Sequence, residues 1–122
     1  MGELEVLIVE DDTSIRESVA ELLAMSGFQP LQARTGRDAL RFLRARERQP
    51  AVILLDMVMP DMSGWEFRAE QLVDPVLAGI PVVVMSGAIG ARDVPGQAHL
   101  AKPFGAEQLL RTVARVARVR LT

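Results

Sequence analysis

The sequence of 122 residues contains no cysteine and no tyrosine, and it has a single tryptophan and a single histidine. Without cysteine the chain can form neither disulfides nor thiolate metal sites, which fits a reducing cytoplasmic location. No apolar run approaches the roughly 20 residues of a membrane-spanning helix, and the N-terminal residues lack the basic and apolar regions of a signal peptide. We therefore expect a cytoplasmic protein that makes no contact with a membrane.

An excess of charge of one sign is also lacking. The 14 basic and 16 acidic residues give a formal net charge of -2, which does not support nucleic-acid binding by this domain. A hydrophobic share of 49% and a charged share of 25% are typical of globular proteins. The length suits one domain, so we predict a single domain over residues 1–122, large enough to bury a core without disulfides.

Short apolar runs alternate with helical patterns along the chain. The predicted strands cover residues 4–9, 28–33, 51–55, 82–85 and 98–101. The first helix is predicted to begin with a capping box from Ser14 to Glu17 and to end at Gly27. The second is predicted from Thr35 to near Pro50, the third over 65–73 and the last over 105–119.

This alternation predicts an α/β fold with a doubly wound, five-stranded parallel sheet that is covered on both faces. Strand two contains Pro30, which favours an edge position. We predict the flavodoxin-like order 2-1-3-4-5, because it leaves strand two at an edge and brings the ends of the other four strands together. Three glycines and a proline lie between Ser86 and Lys102, so the fourth helix is predicted to be shortened or missing.

Polar side chains follow four of the predicted strands. They are Glu10, Asp11 and Asp12 after strand one, Asp56 after strand three, Ser86 after strand four and Lys102 after strand five. Ligands bind outside the carboxyl ends of strands in open α/β sheets, so these groups are expected to meet at one edge. Clustered carboxylates repel unless a cation lies among them, and oxygen ligands suit Mg²⁺. Such a set favours an aspartate nucleophile that accepts a phosphoryl group, with Lys102 and Ser86 on the phosphoryl oxygens.

Each of these residues also has an ordinary structural explanation. Asp12 fits a helix cap equally well, Ser86 before Gly87 fits a turn, and a single lysine is usually solvated. The conjunction of suitable groups at four strand ends is what favours a phosphoryl-transfer site.

The conjunction resembles the receiver domain of two-component response regulators, the CheY-like superfamily, along essentially the whole chain. The resemblance rests on the motifs VEDD (9–12), LDMVMPDMSG (55–64), MSGA (85–88) and KPF (102–104). It implies that Asp56 takes a phosphoryl group from a histidine kinase or a phosphotransfer domain. Ser86 then moves toward the phosphoryl group and switches the surface that binds an unknown output partner. It also implies a cis peptide bond between Lys102 and Pro103.

The resemblance further implies the ligands of Mg²⁺, namely Glu10, Asp11, Asp56 and the main-chain carbonyl of Val58. Arg16 resembles a common position of the first helix, and counting back from it favours Glu10 and Asp11 over Asp11 and Asp12. Asp12 then either bonds to a metal ligand or caps the helix. Gly64 is expected to end the loop with a backbone shape that other residues resist.

Two features depart from the receiver pattern. Ser86 and Lys102 are only 16 positions apart, and the shortened segment between them belongs to a face that many receivers use for dimerisation or output. The expectation of a standard receiver dimer is weaker for that reason. His99 stands where the family carries its switch aromatic, so it is either a switch residue together with Ser86 or an exposed histidine of an edge strand.

We therefore predict a phospho-accepting receiver that catalyses only its own phosphorylation and dephosphorylation and is not otherwise an enzyme. The alternative is a phosphorylation-independent pseudo-receiver that acts as an interaction module. A metal-dependent phosphohydrolase would need a second aspartate at the position of Val58, and a flavodoxin-like cofactor binder would need a glycine-rich loop after strand one.

Two further surfaces have open interpretations. The arginines of the last helix form either a solvated face or a surface for an acidic partner. Met57, Met59 and Met62 form either an adaptable partner surface or the filling of a loop.

Overall fold

Strands and helices alternate along the chain, as predicted. The computed structural model describes residues 4–87 and 96–119. The elements within these ranges are β1 (Glu5–Val9), α1 (Thr13–Met25), β2 (Gln29–Ala33), α2 (Gly36–Arg44), β3 (Val52–Asp56), α3 (Gly64–Val73), β4 (Val82–Ser86), β5 (Ala98–Ala101) and α4 (Ala106–Ala117). The predicted shortening of a helix before β5 falls on residues 88–95, outside the described residues. Of the helices described, none combines the length and the apolar character needed to cross a bilayer.

The strands of the described residues form one five-stranded parallel sheet in the order β2-β1-β3-β4-β5, which confirms the predicted order. The strand that contains Pro30, β2, lies at an edge as expected. The register brings the carboxyl ends of neighbouring strands side by side, since Asp56 is paired with Met85 and Ser86 with Ala101. The residues that follow each strand therefore start from one common edge.

Side chains of the central strands alternate between two apolar layers. On β1, Leu7 and Val9 pack with residues of α2 and α3, whereas Val6 and Ile8 pack with residues of α1 and α4. Burial on both faces explains why the central strands are continuous apolar runs in the sequence. All five residues of β3 are buried, so the carboxylate of Asp56 is carried by a strand with little freedom to move.

Two helices, α1 and α3, carry arginine or glutamine side chains on their buried faces. The buried residues are Arg16, Val19, Ala20 and Leu23 in α1, and Gly64, Phe67, Arg68 and Gln71 in α3. Both sets have the i, i+3, i+4, i+7 spacing of a core-facing stripe. Arg16, Arg68 and Gln71 thus occupy positions where an apolar side chain is the rule.

Gln71 fastens the chain between α3 and β4. Its side chain is fully buried, and Nε2 donates to the main-chain oxygens of Leu77 and Ile80, both at 3.0 Å. Its Oε1 accepts from Nη1 of Arg68 at 2.6 Å, and burial lowers the pKa of that guanidinium. One buried amide therefore sets the path by which the chain enters β4.

The start of α1 differs from the prediction. The N-cap is Asp12, whose carboxylate accepts from the backbone N–H of Ile15 at 3.0 Å, so the predicted capping box at Ser14 is wrong. The chain turns into the helix directly after the sheet edge, and a carboxylate at this end also meets the positive pole of the helix dipole. The predicted end is confirmed, since Gly27 follows the helix with a φ of 90°.

Candidate functional site

A cleft of about 460 Å³ opens at the carboxyl edge of the sheet. Its lining residues are Glu10, Asp11, Asp12, Ile15, Asp56, Met57, Val58, Ser86, Gly87 and Lys102. Every predicted site residue except His99 is in this set. The polar residues predicted at the ends of four strands therefore do meet in one cleft.

Three carboxylates converge in the cleft. Glu10, Asp11 and Asp56 each offer an oxygen, and these oxygens lie within 4.8 Å of one another. Glu10 is 1% exposed and Asp56 is 5% exposed, whereas Asp11 faces solvent. Hard oxygen donors with one solvent-facing member fit Mg²⁺, which binds proteins through few carboxylates and keeps several waters.

Lys102, the only lysine of the chain, joins the two buried carboxylates. Its Nζ donates to Oε1 of Glu10 at 2.6 Å and to Oδ1 of Asp56 at 3.0 Å. Burial alone would lower the pKa of Lys102, but the hydrogen bonds and charges of Glu10 and Asp56 outweigh it and raise that pKa. The ammonium therefore stays charged at physiological pH. The peptide bond between Lys102 and Pro103 is cis, as the receiver resemblance implied.

Glu10 is held through four polar groups. Its backbone N–H donates to the carbonyl of Ala33 at 3.1 Å, and its own carbonyl accepts from Nη1 of Arg16 at 3.0 Å. Its Oε2 accepts from the backbone N–H of Asp12 at 3.2 Å, and its Oε1 accepts from Lys102. Asp12 thus caps the helix with its carboxylate and supports Glu10 with its main chain.

Ser86 and Val58 complete the cleft. Ser86 ends β4 and is buried, and its carbonyl accepts from the backbone N–H of Lys102 at 2.8 Å. This bond ties the ends of β4 and β5 together beneath the cleft. Val58 is 71% exposed, and because a valine side chain carries no polar atom, only its main chain can offer a ligand.

The β3–α3 loop, residues 57–63, is fastened to the start of α2 by a carboxylate. Oδ1 of Asp61 accepts from the backbone N–H of Gly36 at 3.2 Å, and Oδ2 accepts from that of Arg37 at 2.8 Å. Burial would raise the pKa of Asp61, but hydrogen bonds to its carboxylate outweigh this effect and lower the pKa below its ordinary value. The largest of these contributions comes from the backbone N–H of Arg37, and the Thr35 hydroxyl adds a smaller one. Asp61 lies within the LDMVMPDMSG motif, but its role in the loop was not predicted from the sequence.

The same loop packs against α2 through methionines. Met59 and Met62 are buried in the core, so they fill the loop and are not available as a partner surface. Met57 is only partly buried and also lines the cleft, so a partner surface stays a prediction for Met57 alone. A Cβ on Gly36 would overlap Cγ and Sδ of Met62, so a side chain at position 36 would force the Met62 side chain to move. We name the contact of Asp61 and Met62 with the start of α2 the loop clasp.

Gly64 closes the loop for a steric reason. Its backbone N–H donates to the carbonyl of Met57 at 2.8 Å, and a Cβ there would lie 3.2 Å from the Met57 Cα. Its φ is not in the left-handed region, so the expectation of an unusual backbone shape is wrong. The loop then enters α3 through a capping box between Ser63 and Glu66, which was not predicted.

Removal of the Asp61 carboxylate should lower the stability of the domain only at pH values at which that carboxylate is charged. We expect Asp61→Ala to lower the free energy of unfolding by about 1 kcal/mol near pH 7, because two N–H groups of α2 lose their acceptor. A folded-state pKa below the unfolded value of about 4 stabilises the domain above that pH, and the contribution is lost as pH falls through the folded value. Urea unfolding from pH 7 to pH 3 measures this. Replacement of the exposed Glu107 by alanine serves as a control. A loss of stability in Asp61→Ala that does not shrink at low pH would contradict the role of the charged Asp61 carboxylate.

His99 lies outside the cleft. It is an exposed residue of β5 and lines a separate groove of about 600 Å³ beside α4. The other residues of that groove are Gly105, Glu107, Gln108, Arg111, Thr112 and Arg115. The structure does not bring His99 to Ser86, and the switch role of His99 stays a prediction.

Comparison with known proteins identifies the family. The family model described as the response regulator receiver domain matches residues 6–114. The chain belongs to the response regulator receiver domain family. The receiver is 30% identical to protein PilH of Pseudomonas aeruginosa over 122 residues, which covers 91% of this chain and 95% of PilH. It is 29% identical to the phosphate regulon transcriptional regulatory protein PhoB of the same organism over 119 residues, 93% of this chain and 51% of PhoB. The chain thus spans about half the length of PhoB.

Solved structures show the same fold. The receiver domain of the sensor histidine kinase PA1611 from Pseudomonas aeruginosa has a TM-score of 0.87 at 22% identity, over 96% of this chain and 99% of that one. That structure has a magnesium ion coordinated in its active site cleft. The predicted recognition and the flavodoxin-like sheet order are confirmed.

Proposed function

We propose that this receiver accepts a phosphoryl group on Asp56 from a histidine kinase or a phosphotransfer domain, with Mg²⁺ bound in the cleft. The observation that carries the proposal is the meeting of the Glu10, Asp11 and Asp56 carboxylates within 4.8 Å. The ammonium of Lys102 is bonded to two of the three. A solvated surface would not bury two carboxylates beside a partly buried lysine, because buried charges must be paired.

The transfer requires a nucleophile and groups that bind the phosphoryl oxygens. A carboxylate oxygen of Asp56 would attack the phosphorus of a phosphohistidine, and the O–P bond forms as the N–P bond breaks. The electron pair of the broken bond stays on the imidazole nitrogen. The Lys102 ammonium would leave the Asp56 carboxylate to bind one phosphoryl oxygen, and the Ser86 hydroxyl would bind another.

The donor set supports Mg²⁺ as the cofactor. Glu10, Asp11, Asp56 and the main-chain carbonyl of Val58 would hold the ion, and all of them are the hard oxygen donors it prefers. When bound, Mg²⁺ neutralises negative charge on the phosphoryl oxygens. The magnesium ion in the PA1611 receiver domain supports the same assignment for this chain.

Phosphorylation would change the charge at the sheet edge. An added phosphoryl group brings negative charge and acceptor oxygens to Asp56, and Ser86 at the end of β4 would move toward them. The changed surface would be read by an output partner. We propose no reaction on an outside substrate, because Val58 offers no carboxyl group to protonate a leaving group.

Intact-protein mass after incubation with acetyl phosphate tests the proposal. We expect one added phosphoryl group in the presence of Mg²⁺, almost none after chelation, and none in Asp56→Asn with or without the metal. Asp12→Asn is the matched control, because asparagine keeps the helix cap and the variant should be labelled like the unmodified protein.

Two outcomes would contradict the proposal. Labelling that persists in Asp56→Asn would assign the phosphoryl group to another residue. Absence of labelling in a protein that binds Mg²⁺ would favour the alternative, a pseudo-receiver that binds partners without phosphorylation.

A further inference from the structure

Arg16 is a buried cation without an acidic partner. It is 8% exposed, and within the described ranges no carboxylate forms an ion pair with it. Its hydrogen bonds go to two neutral acceptors, the carbonyl of Glu10 and Oε1 of Gln32, both at 3.0 Å. Burial of an unpaired charge costs several kcal/mol, so a side chain that only had to fill this space would be apolar. The position therefore calls for an explanation beyond packing.

The Glu10 carbonyl belongs to the peptide group that joins Glu10 to Asp11. Arg16 therefore fixes the plane of the peptide between two of the proposed metal ligands. Asp11 depends on this support, because its side chain is exposed and accepts no hydrogen bond from another residue in the described part of the chain. The carboxylate of Asp11 can point toward Asp56 only if the backbone before it is held.

We infer that Arg16 is a positioning residue for the carboxylate pair, acting through the Glu10–Asp11 peptide. The inference rests on the proposed Mg²⁺ site. Arg16 connects α1, on which it lies, to two other elements. Its Nη1 donates to Glu10 at the end of β1, and its Nε donates to Gln32 of β2. A planar guanidinium can hold two acceptors in different directions, which an ammonium on a flexible stem does less well.

If Arg16 acted only through its charge, its removal would change the Mg²⁺ affinity in the opposite direction. A fixed positive charge near a cation site repels the incoming metal, so removal of that charge alone would strengthen Mg²⁺ binding. Positioning predicts weaker binding when the charge is removed. The direction of the change in affinity therefore separates the two explanations.

Isothermal titration with Mg²⁺ alone tests this on the full chain. We expect about tenfold weaker affinity in Arg16→Met, the lower end for loss of a group that orients metal ligands. Arg16→Lys should be intermediate, since it keeps the charge and at most one of the two bonds. Arg111→Met is the control, because Arg111 lies on the exposed face of α4 and pairs only with Glu107 among the residues described. It should leave the affinity unchanged.

The outcomes separate this inference from the proposed function. Equal or tighter Mg²⁺ binding in Arg16→Met, or unchanged binding in Arg16→Lys, would overturn the positioning role while the metal site stands. No binding by the unmodified protein would overturn the metal site and the inference with it. Circular dichroism at the titration temperature identifies a variant that has unfolded, and in that event Arg16→Lys decides the outcome.

Discussion

Lys102→Met should destabilise the metal-free receiver by about 3 kcal/mol at pH 7, the lower end of the range for breaking a buried ion pair. The lysine side chain is 23% exposed, which is why the lower end applies. Without the ammonium, the buried carboxylates of Glu10 and Asp56 face each other with no counter-charge, and their mutual repulsion opposes folding. Urea unfolding followed by circular dichroism measures the loss.

The stability that Lys102 contributes should depend on pH in one direction. The raised pKa of Lys102 means that its contribution to stability is fully present below the unfolded lysine value of about 10.4 and is lost as pH rises through the folded value. The difference in the free energy of unfolding between the two proteins should therefore narrow as pH rises through the folded pKa of Lys102. Mg²⁺ should stabilise the variant more than the unmodified protein.

An exposed ion pair provides the control for this measurement. Arg111→Met breaks the contact with Glu107 on the surface of α4 and should change the free energy of unfolding by less than about 1 kcal/mol. A loss in Lys102→Met that is no larger than in Arg111→Met would mean that water, and not Lys102, compensates the two carboxylates.

Gln71→Leu should also cost about 3 kcal/mol, although it replaces a polar side chain with an apolar one of similar size in the core. The carbonyls of Leu77 and Ile80 would lose their donor, and Arg68 would lose the Gln71 acceptor. Each buried polar group left unsatisfied costs about 1–3 kcal/mol. A simple hydrophobic scale predicts the reverse, a gain in stability.

Urea unfolding of Gln71→Leu, compared with that of Gln108→Leu, distinguishes the expected loss of stability from the gain that a hydrophobic scale predicts. Gln108 is exposed on α4, and its replacement should stay within about 0.5 kcal/mol of the unmodified protein. If Gln71→Leu proved as stable as the control, the carbonyls between α3 and β4 would have to be hydrated, and the buried amide would have no structural role.

The cleft was predictable because its residues stand directly after strands. Parallel strands buried on both faces appear as short apolar runs, and in an open α/β sheet their carboxyl ends share one edge. Asp56 and Lys102 could therefore be brought together from the sequence although they lie 46 positions apart. The end of β3 was predicted to within one residue, at 55 in place of Asp56.

The supporting residues were not found, although Arg16, Arg68 and Gln71 left a signal. Each interrupts the i, i+3, i+4, i+7 stripe on the buried face of its helix. A polar side chain at such a position must find partners inside the protein, so the pattern marks it as part of a buried hydrogen-bond network. The partners themselves depend on tertiary contacts that the periodicity of one helix does not contain.

The loop clasp left no such signal. Asp61 and Gly36 are separated by 25 positions, and an aspartate after a proline in a loop has many ordinary explanations. The start of α1 was misplaced for a related reason, since Asp12 and Ser14 are both good caps and only the path of the chain out of β1 decides between them.

The loop clasp also limits how receivers of this kind can be recombined. Because Met62 occupies the space that a side chain at position 36 would need, neither residue can be exchanged without regard to the other. A chimaera whose imported α2 carries a side chain at position 36 would collide with Met62, and one whose imported β3–α3 loop lacks a carboxylate at position 61 would leave the first N–H groups of α2 without this acceptor. The smallest continuous segment that keeps both sides of the loop clasp runs from Thr35 to Gly64, so a library that shuffles segments should cut outside it.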